Sequence, residues 1–137
     1  MVSSYTTRIR LEKQGDGENP NSWGTVLNQN VIDLVDEAIA AYTTVVVSSA
    51  DVTLTANDGT TDQSRSPFLE LSGTVSASLN VLVPQKSKSY VINDKTTRQN
   101  SAVITLKTAA GTGSTVAAGS RKMFLCDTVS VFGLDYL

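Results

Sequence analysis

The chain has 137 residues, 40% of them apolar and 18% charged, with a net charge of -2 and one cysteine, values that fit a single soluble domain able to build its own core. The absence of histidine excludes Ser-His-Asp and Cys-His catalysis and histidine-containing zinc sites. The lone Cys126 excludes an intrachain disulfide or a thiolate metal cluster, and the charge balance lacks the Lys and Arg excess of a nucleic-acid footprint.

The opening Met1-Val2-Ser3-Ser4-Tyr5 has no basic residue followed by an apolar stretch, and no run nears the roughly 20 apolar residues of a bilayer span, so neither an export signal nor a membrane anchor is expected. From Tyr5 to Leu11 apolar and polar residues alternate loosely, which predicts a half-exposed first strand. Lys13 to Asn21 gathers glycines, amides and a proline and reads as a surface loop ending in Asn19-Pro20, a helix start with Asn as cap and Pro in the first turn.

Apolar residues then recur at Trp23, Val26, Leu27, Val31, Leu34, Val35, Ala38, Ile39 and Tyr42, spacings of three and four that predict one helix over 20–42, continuous or broken near Asn30. Within it, Trp23, Leu27, Val31, Leu34, Val35, Ala38 and Ile39 are candidates for packing against a sheet or against other copies of the chain. Trp23 is expected to plug the junction of helix and sheet, its removal costing about 3–5 kcal/mol.

After Tyr42 the period changes to two. Strands are predicted at 43–47, 51–55, 68–71, 77–83, 89–93, 102–107, 122–126 and 129–132, separated by turn-forming groups such as Asn57-Asp58-Gly59, Ser72-Gly73, Asn93-Asp94-Lys95 and Gly111-Thr112-Gly113. Counting gives 16 Ser and 17 Thr, an enrichment that also favours strands and short loops. With no further helix to serve as a crossover, the pattern predicts a mainly β fold: an N-terminal strand and one helix (1–42), then an antiparallel β-sandwich or barrel (43–137), with no internal repeat of fixed length.

Little of the chain reads as reactive. Asp33, Asp36 and Glu37 fall on the expected exposed face of the helix, and the Asn57 to Asp62 stretch lacks the ligands of a calcium loop. Gly15-x-Gly17 and Gly111-x-Gly113 are too short for a dinucleotide fingerprint. Cys126 belongs to the apolar strand Met123-Phe124-Leu125-Cys126 and is expected to be a buried, inert thiol. Lys86, Lys88, Lys95, Arg98 and Lys107 read as solvated strand faces and edge protection, or as a patch for an acidic partner. Asp51, Asp62, Glu70 and Asp127 are scattered, with no motif uniting two of them as glycosidase carboxylates. No catalytic residue, cofactor or metal is expected.

Several segments, in order, resemble an N-terminal module of tail fibre-type virion structural proteins of tailed bacteriophages. They are Arg8-Ile9-Arg10-Leu11 with Gln14 to Asn19, Ser22-Trp23-Gly24-Thr25-Val26-Leu27-Asn28, and Val31 to Ala40. Phe68 to Thr74, Val83-Pro84, Tyr90 to Asn93, Ile104 to Gly113 and Phe124-Leu125-Cys126-Asp127 follow. The resemblance spans nearly the whole chain. Where such proteins often continue beyond the Cys-Asp step into a shaft or receptor-binding region, this sequence ends at Leu137, as expected of the virion-attached part alone.

What the resemblance implies is a non-enzymatic structural protein of the virion, assembled in the host cytoplasm as a homotrimer. It would dock on other virion proteins of the tail or capsid, without nucleic acid or membrane. Apolar residues on more than one side of the helix agree with self-association. A capsid decoration (cement) protein that stabilises the head shell is one alternative. A carbohydrate-binding module is another, weakened by the small number of aromatic residues.

Overall fold

In the computed structural model, which describes residues 2–135, the stretches of period two become strands and the stretch of period 3.6 becomes the helical segment. The chain is mainly β. A short N-terminal hairpin, β1 (Ser4–Tyr5) with β2 (Glu12–Lys13), stands where one longer strand is predicted. The interruption is at Arg10, whose backbone takes the left-handed conformation (φ 56°) and turns its side chain into the interior.

The helical segment begins at Trp23, not at Pro20, because Asn19 is itself left-handed (φ 55°) and closes a turn onto Ser22. It runs as α1 (Trp23–Leu27), one π-helical turn (Asn28–Ile32) and α2 (Asp33–Ala40). The chain therefore widens near Asn30 without breaking, and Asn30 Nδ2 donates to Glu12 Oε2 at 2.6 Å. Ala41 is extended, and Tyr42 opens the first strand of the β body.

That body is laid down in circuits. The first contains β3 (Tyr42–Val46) and β4 (Val52–Thr53). The second contains β5 (Phe68–Ser72), β6 (Thr74–Val75) and β7 (Leu79–Val83). The third contains β8 (Lys88–Asp94), β9 (Thr97–Arg98) and β10 (Ile104–Thr108). Each strand pairs in parallel with its counterpart one circuit later, so that Tyr42, Phe68 and Val91 are in register, as are Val52, Val81 and Leu106, and Thr74 and Thr97.

Only the closing strands reverse: β11 (Gly113–Val116) folds back on β10, and β12 (Arg121–Cys126) runs antiparallel between β8 and β13 (Val131–Gly133). The body thus has a five-stranded sheet (β13-β12-β8-β5-β3), a four-stranded sheet (β11-β10-β7-β4) and the pair β6-β9, and none closes on itself.

The expectation of an all-antiparallel body is corrected by this pairing. From β3 to β10 successive strands lie in different sheets, so the chain turns a corner after each one and returns to the first sheet a circuit later. Passage through a second sheet supplies the crossover that a helix supplies in α/β folds. The steps from Tyr42 to Phe68 to Val91, and from Val52 to Val81 to Leu106, differ in length, which hides the repeat from the sequence.

Inward-facing residues stack from circuit to circuit, Leu69 on Ile92, Leu79 on Ile104 and Val81 on Leu106, and join Tyr90, Phe124, Cys126 and Val131 in one core shared by both larger sheets. The corner between β5 and β6 depends on Gly73, whose φ of 116° suits glycine and where a Cβ would overlap the Val47 carbonyl oxygen. Gly73→Ala is expected to lower stability by about 2 kcal/mol through backbone strain and that overlap. A fall in the urea midpoint with an unchanged slope checks it; an unchanged midpoint refutes it.

Candidate assembly surface

The helical segment is held to the β body by a buried polar cluster. Arg65, fully buried, donates from Nε to the Ile9 carbonyl (2.8 Å), from Nη1 to the Thr60 carbonyl (2.7 Å) and from Nη2 to the Asn57 carbonyl (2.9 Å). Its guanidinium also faces Glu37 of α2 at 3.4 Å and Asp62 at 3.3 Å. Asp62 takes a 2.7 Å bond from Arg10 and further bonds from the Asn57 and Arg65 amides and the Ser64 hydroxyl, and its own amide donates to Glu37.

Three segments distant in sequence, the N-terminal arm, the 55–66 loop and α2, therefore converge on one charge cluster. Glu37, expected on the exposed face, is half-buried here, because the Arg65 guanidinium and the Asp62 amide draw its carboxylate inward.

Of the seven helical residues singled out in the sequence, the structure buries only Leu34, and Leu34 lies outside the main core cluster. Leu27, Val31, Val35 and Ala38 are half-buried. Trp23 is 61% exposed and Ile39 69% exposed. The expectation that Trp23 plugs a helix–sheet junction is corrected: the segment meets its own body through Glu37 and Leu34 and leaves its first turn uncovered, so truncating the indole removes little buried area. Ile32 and Ile39, seven positions apart with Val35 between them, form an apolar stripe on the side of α2 away from Leu34, and both isoleucines are exposed.

A second apolar surface crosses the outer face of the five-stranded sheet. Strand register places Tyr42, Phe68, Val91 and Met123 side by side, and the Leu134 amide bonded to the Met123 carbonyl carries the row onto the last described segment. Leu125 and Phe132 sit opposite one another on the same sheet. Apart from half-buried Val91, these side chains are 38–54% exposed.

Beside the row runs a polar one, Thr44, Glu70, Asn93 and Arg121, also in register. Tyr42 Oη donates to Glu70, Asn93 donates to Tyr42 Oη, Arg121 donates to Asn93, and Lys95 pairs with Glu70 at 2.8 Å. Hydrogen bonds from Lys95 and Tyr42 hold the Glu70 carboxyl below its ordinary range, and Glu70 in turn raises Lys95.

At the β12 end, Val91, Ser120, Arg121, Lys122, Met123, Leu134 and Asp135 enclose a groove of about 570 Å³. In its wall the Ser120 hydroxyl oxygen is buried and has no hydrogen-bond partner among the described residues.

The basic residues do not form one patch. Arg98 is paired with buried Asp94 at 2.9 Å, Lys95 with Glu70, and Lys88 lies 4.2 Å from the centre of the Tyr90 ring while donating to the Ser66 carbonyl. Burial, and then the charge of Arg10, bring Lys88 down to about 8.

Cys126 is buried, as expected, 3.8 Å from the Pro84 carbonyl oxygen. Among the described residues no three His, Cys, Asp or Glu side chains are grouped as metal ligands, and no helix is long and apolar enough to cross a membrane. No protein-family model, curated protein or solved structure matches the chain.

Proposed function

We propose that this chain is a non-enzymatic structural module of a tailed-phage virion, of short tail-fibre or adaptor type. It self-associates as a homotrimer and docks on proteins of the tail. The observation that carries the reading is the pair of uncovered apolar surfaces, the Ile32–Ile39 stripe and the row from Tyr42 to Leu134, on a body whose own core is already filled. Apolar area of this extent is held from water when copies associate. The ordered resemblance to fibre-type modules supplies the setting. We read the two larger open sheets, wound over one core, as the layers of a sandwich.

The carboxylates support a structural role. Asp51 is held by Asn80, Asp62 by Arg10 and the Asn57 amide, Glu70 by Lys95 and Tyr42, and Asp127 by the Ser130 and Val129 amides. All four carboxyls are held below their ordinary values. A glycosidase needs one carboxyl raised to act as general acid.

Sedimentation equilibrium is expected to give a mass about three times the 14.5 kDa of one chain. The double change Ile32→Asp and Ile39→Asp is expected to bring it to a single chain without loss of the circular dichroism signal. A wild-type mass of 14.5 kDa at all concentrations refutes the reading. Immunolabelling of particles locates the protein: a few to dozens of copies at the tail supports the adaptor, and hundreds over the head replaces it with shell decoration.

A further inference from the structure

The two uncovered surfaces on each chain match one another in chemistry, in length and in charge. On the sheet, five strands at about 4.8 Å spacing put the ends of the apolar row about 19 Å apart. The helical segment from Trp23 to Ile39 is about 24 Å long at 1.5 Å per residue, enough to lie along that row.

The sheet face leaves on the order of 500 Å² of apolar side chain uncovered, taking each of its six exposed members as about half open. With its polar margin this approaches the roughly 800 Å² per partner of a stable interface. Charge sets the orientation. Asp36 lies between Ile32 and Ile39, four positions after one and three before the other, and Asp33 borders the same stripe. Both are exposed, and neither carboxylate has a hydrogen bond or ion pair among the described residues.

On the sheet, Arg121 stands beside Met123 at the mouth of the groove. Its one bond is to the Asn93 amide oxygen at 3.1 Å, and no carboxylate neutralises it among the described residues. The nearby Lys95 feels its repulsion.

We propose that the assembly is heterologous: α2 of one copy lies on the Tyr42–Leu134 row of the next, with Asp36 against Arg121. Each copy gives its helix to one neighbour and receives a helix from the other. Where its rotation closes at three copies, such a contact makes a ring that uses both apolar surfaces of every chain. The assignment rests on the self-association proposed above and specifies its geometry.

Reversing either charge alone, Asp36→Arg or Arg121→Asp, sets like charges together and is expected to weaken association by at least about tenfold. Combining the two is expected to bring the association constant back to within about threefold of wild type, read by sedimentation at several concentrations, with the thermal melt of each variant showing that it folds. A wild-type oligomer whose association survives both single changes, or is not rescued by the combination, overturns this geometry and leaves self-association standing. A wild-type chain that stays single overturns both.

A second measurement needs no charge reversal. Ile39→Cys together with Met123→Cys is expected to form a disulfide between copies under mild oxidation, while buried Cys126 stays out of reach. Efficient cross-linking by Ile39→Cys alone means helix meets helix and likewise overturns the geometry.

Discussion

Arg65→Ala is expected to cost about 3–5 kcal/mol of stability, the range for removing one partner of a buried ion pair, and to lower Tm by roughly 10–20 °C. The change leaves the carbonyls of Ile9 and Thr60 without their donors, leaves that of Asn57 with Arg10 alone, and takes from Asp62 and Glu37 a shared cation. Arg65→Lys is expected to recover only part of this, because an ammonium cannot reach three carbonyls and two carboxylates in the directions the planar fork does.

Since the cluster ties the N-terminal arm and α2 to the body, trypsin is expected to cut near Arg8 and Lys13 much faster in the variant. Urea unfolding at fixed protein concentration measures the stability loss, and a loss under about 1 kcal/mol refutes the assignment.

The pH dependence has a definite sign. Burial raises the Asp62 carboxyl, but bonds from Arg10 and from the Asn57 and Arg65 amides outweigh it, leaving Asp62 below its ordinary value. Its contribution is therefore complete above about pH 4 and is lost as pH falls through the depressed folded-state value. The stability gap between wild type and Asp62→Asn is expected to narrow over that acid range.

How far the fold could be read from the sequence depends on which interactions are local. The eight strands from 43 to 132 were legible because alternation is a property of each segment alone; Leu79-Asn80-Val81-Leu82-Val83, for example, points its odd-numbered residues inward. Three short strands escaped, two of them only two residues long. Pairing was not legible, because it depends on what the corners do. Ser72-Gly73 has the composition of a hairpin turn, yet with φ at 116° Gly73 directs the chain into another sheet.

The polar cluster was hidden for a related reason. Ser64-Arg65-Ser66 in a polar loop reads as solvated, and Arg65 becomes buried only when carbonyls from Ile9, Asn57 and Thr60 arrive around it. Trp23 misled because helical periodicity assigns a residue to a face and says nothing of what covers that face. The sheet row had left a trace: Met123-Phe124-Leu125-Cys126 is apolar at every position, so both faces of that strand are apolar although only one meets the core.

That strand gives the other large prediction, because adjacent residues on it do different jobs. Phe124 is fully buried and lies across from Tyr90 in the antiparallel pairing of β8 and β12. Phe124→Ala leaves a cavity the size of a ring between the two larger sheets and is expected to cost about 3–5 kcal/mol. Met123, one position earlier, is 44% exposed on the outer face, and Met123→Ala is expected to change the stability of the separated chain by less than about 0.5 kcal/mol.

Concentration separates the two effects. A substitution in the core lowers Tm at every protein concentration, whereas one at an interface removes only the part of Tm that rises with concentration, since association stabilises the folded state by mass action. Melting curves over a hundredfold range of concentration are therefore expected to show parallel displacement for Phe124→Ala and a flattened dependence for Met123→Ala. If both variants shift Tm alike at high dilution, Met123 is part of the core and the outer row is not an association surface.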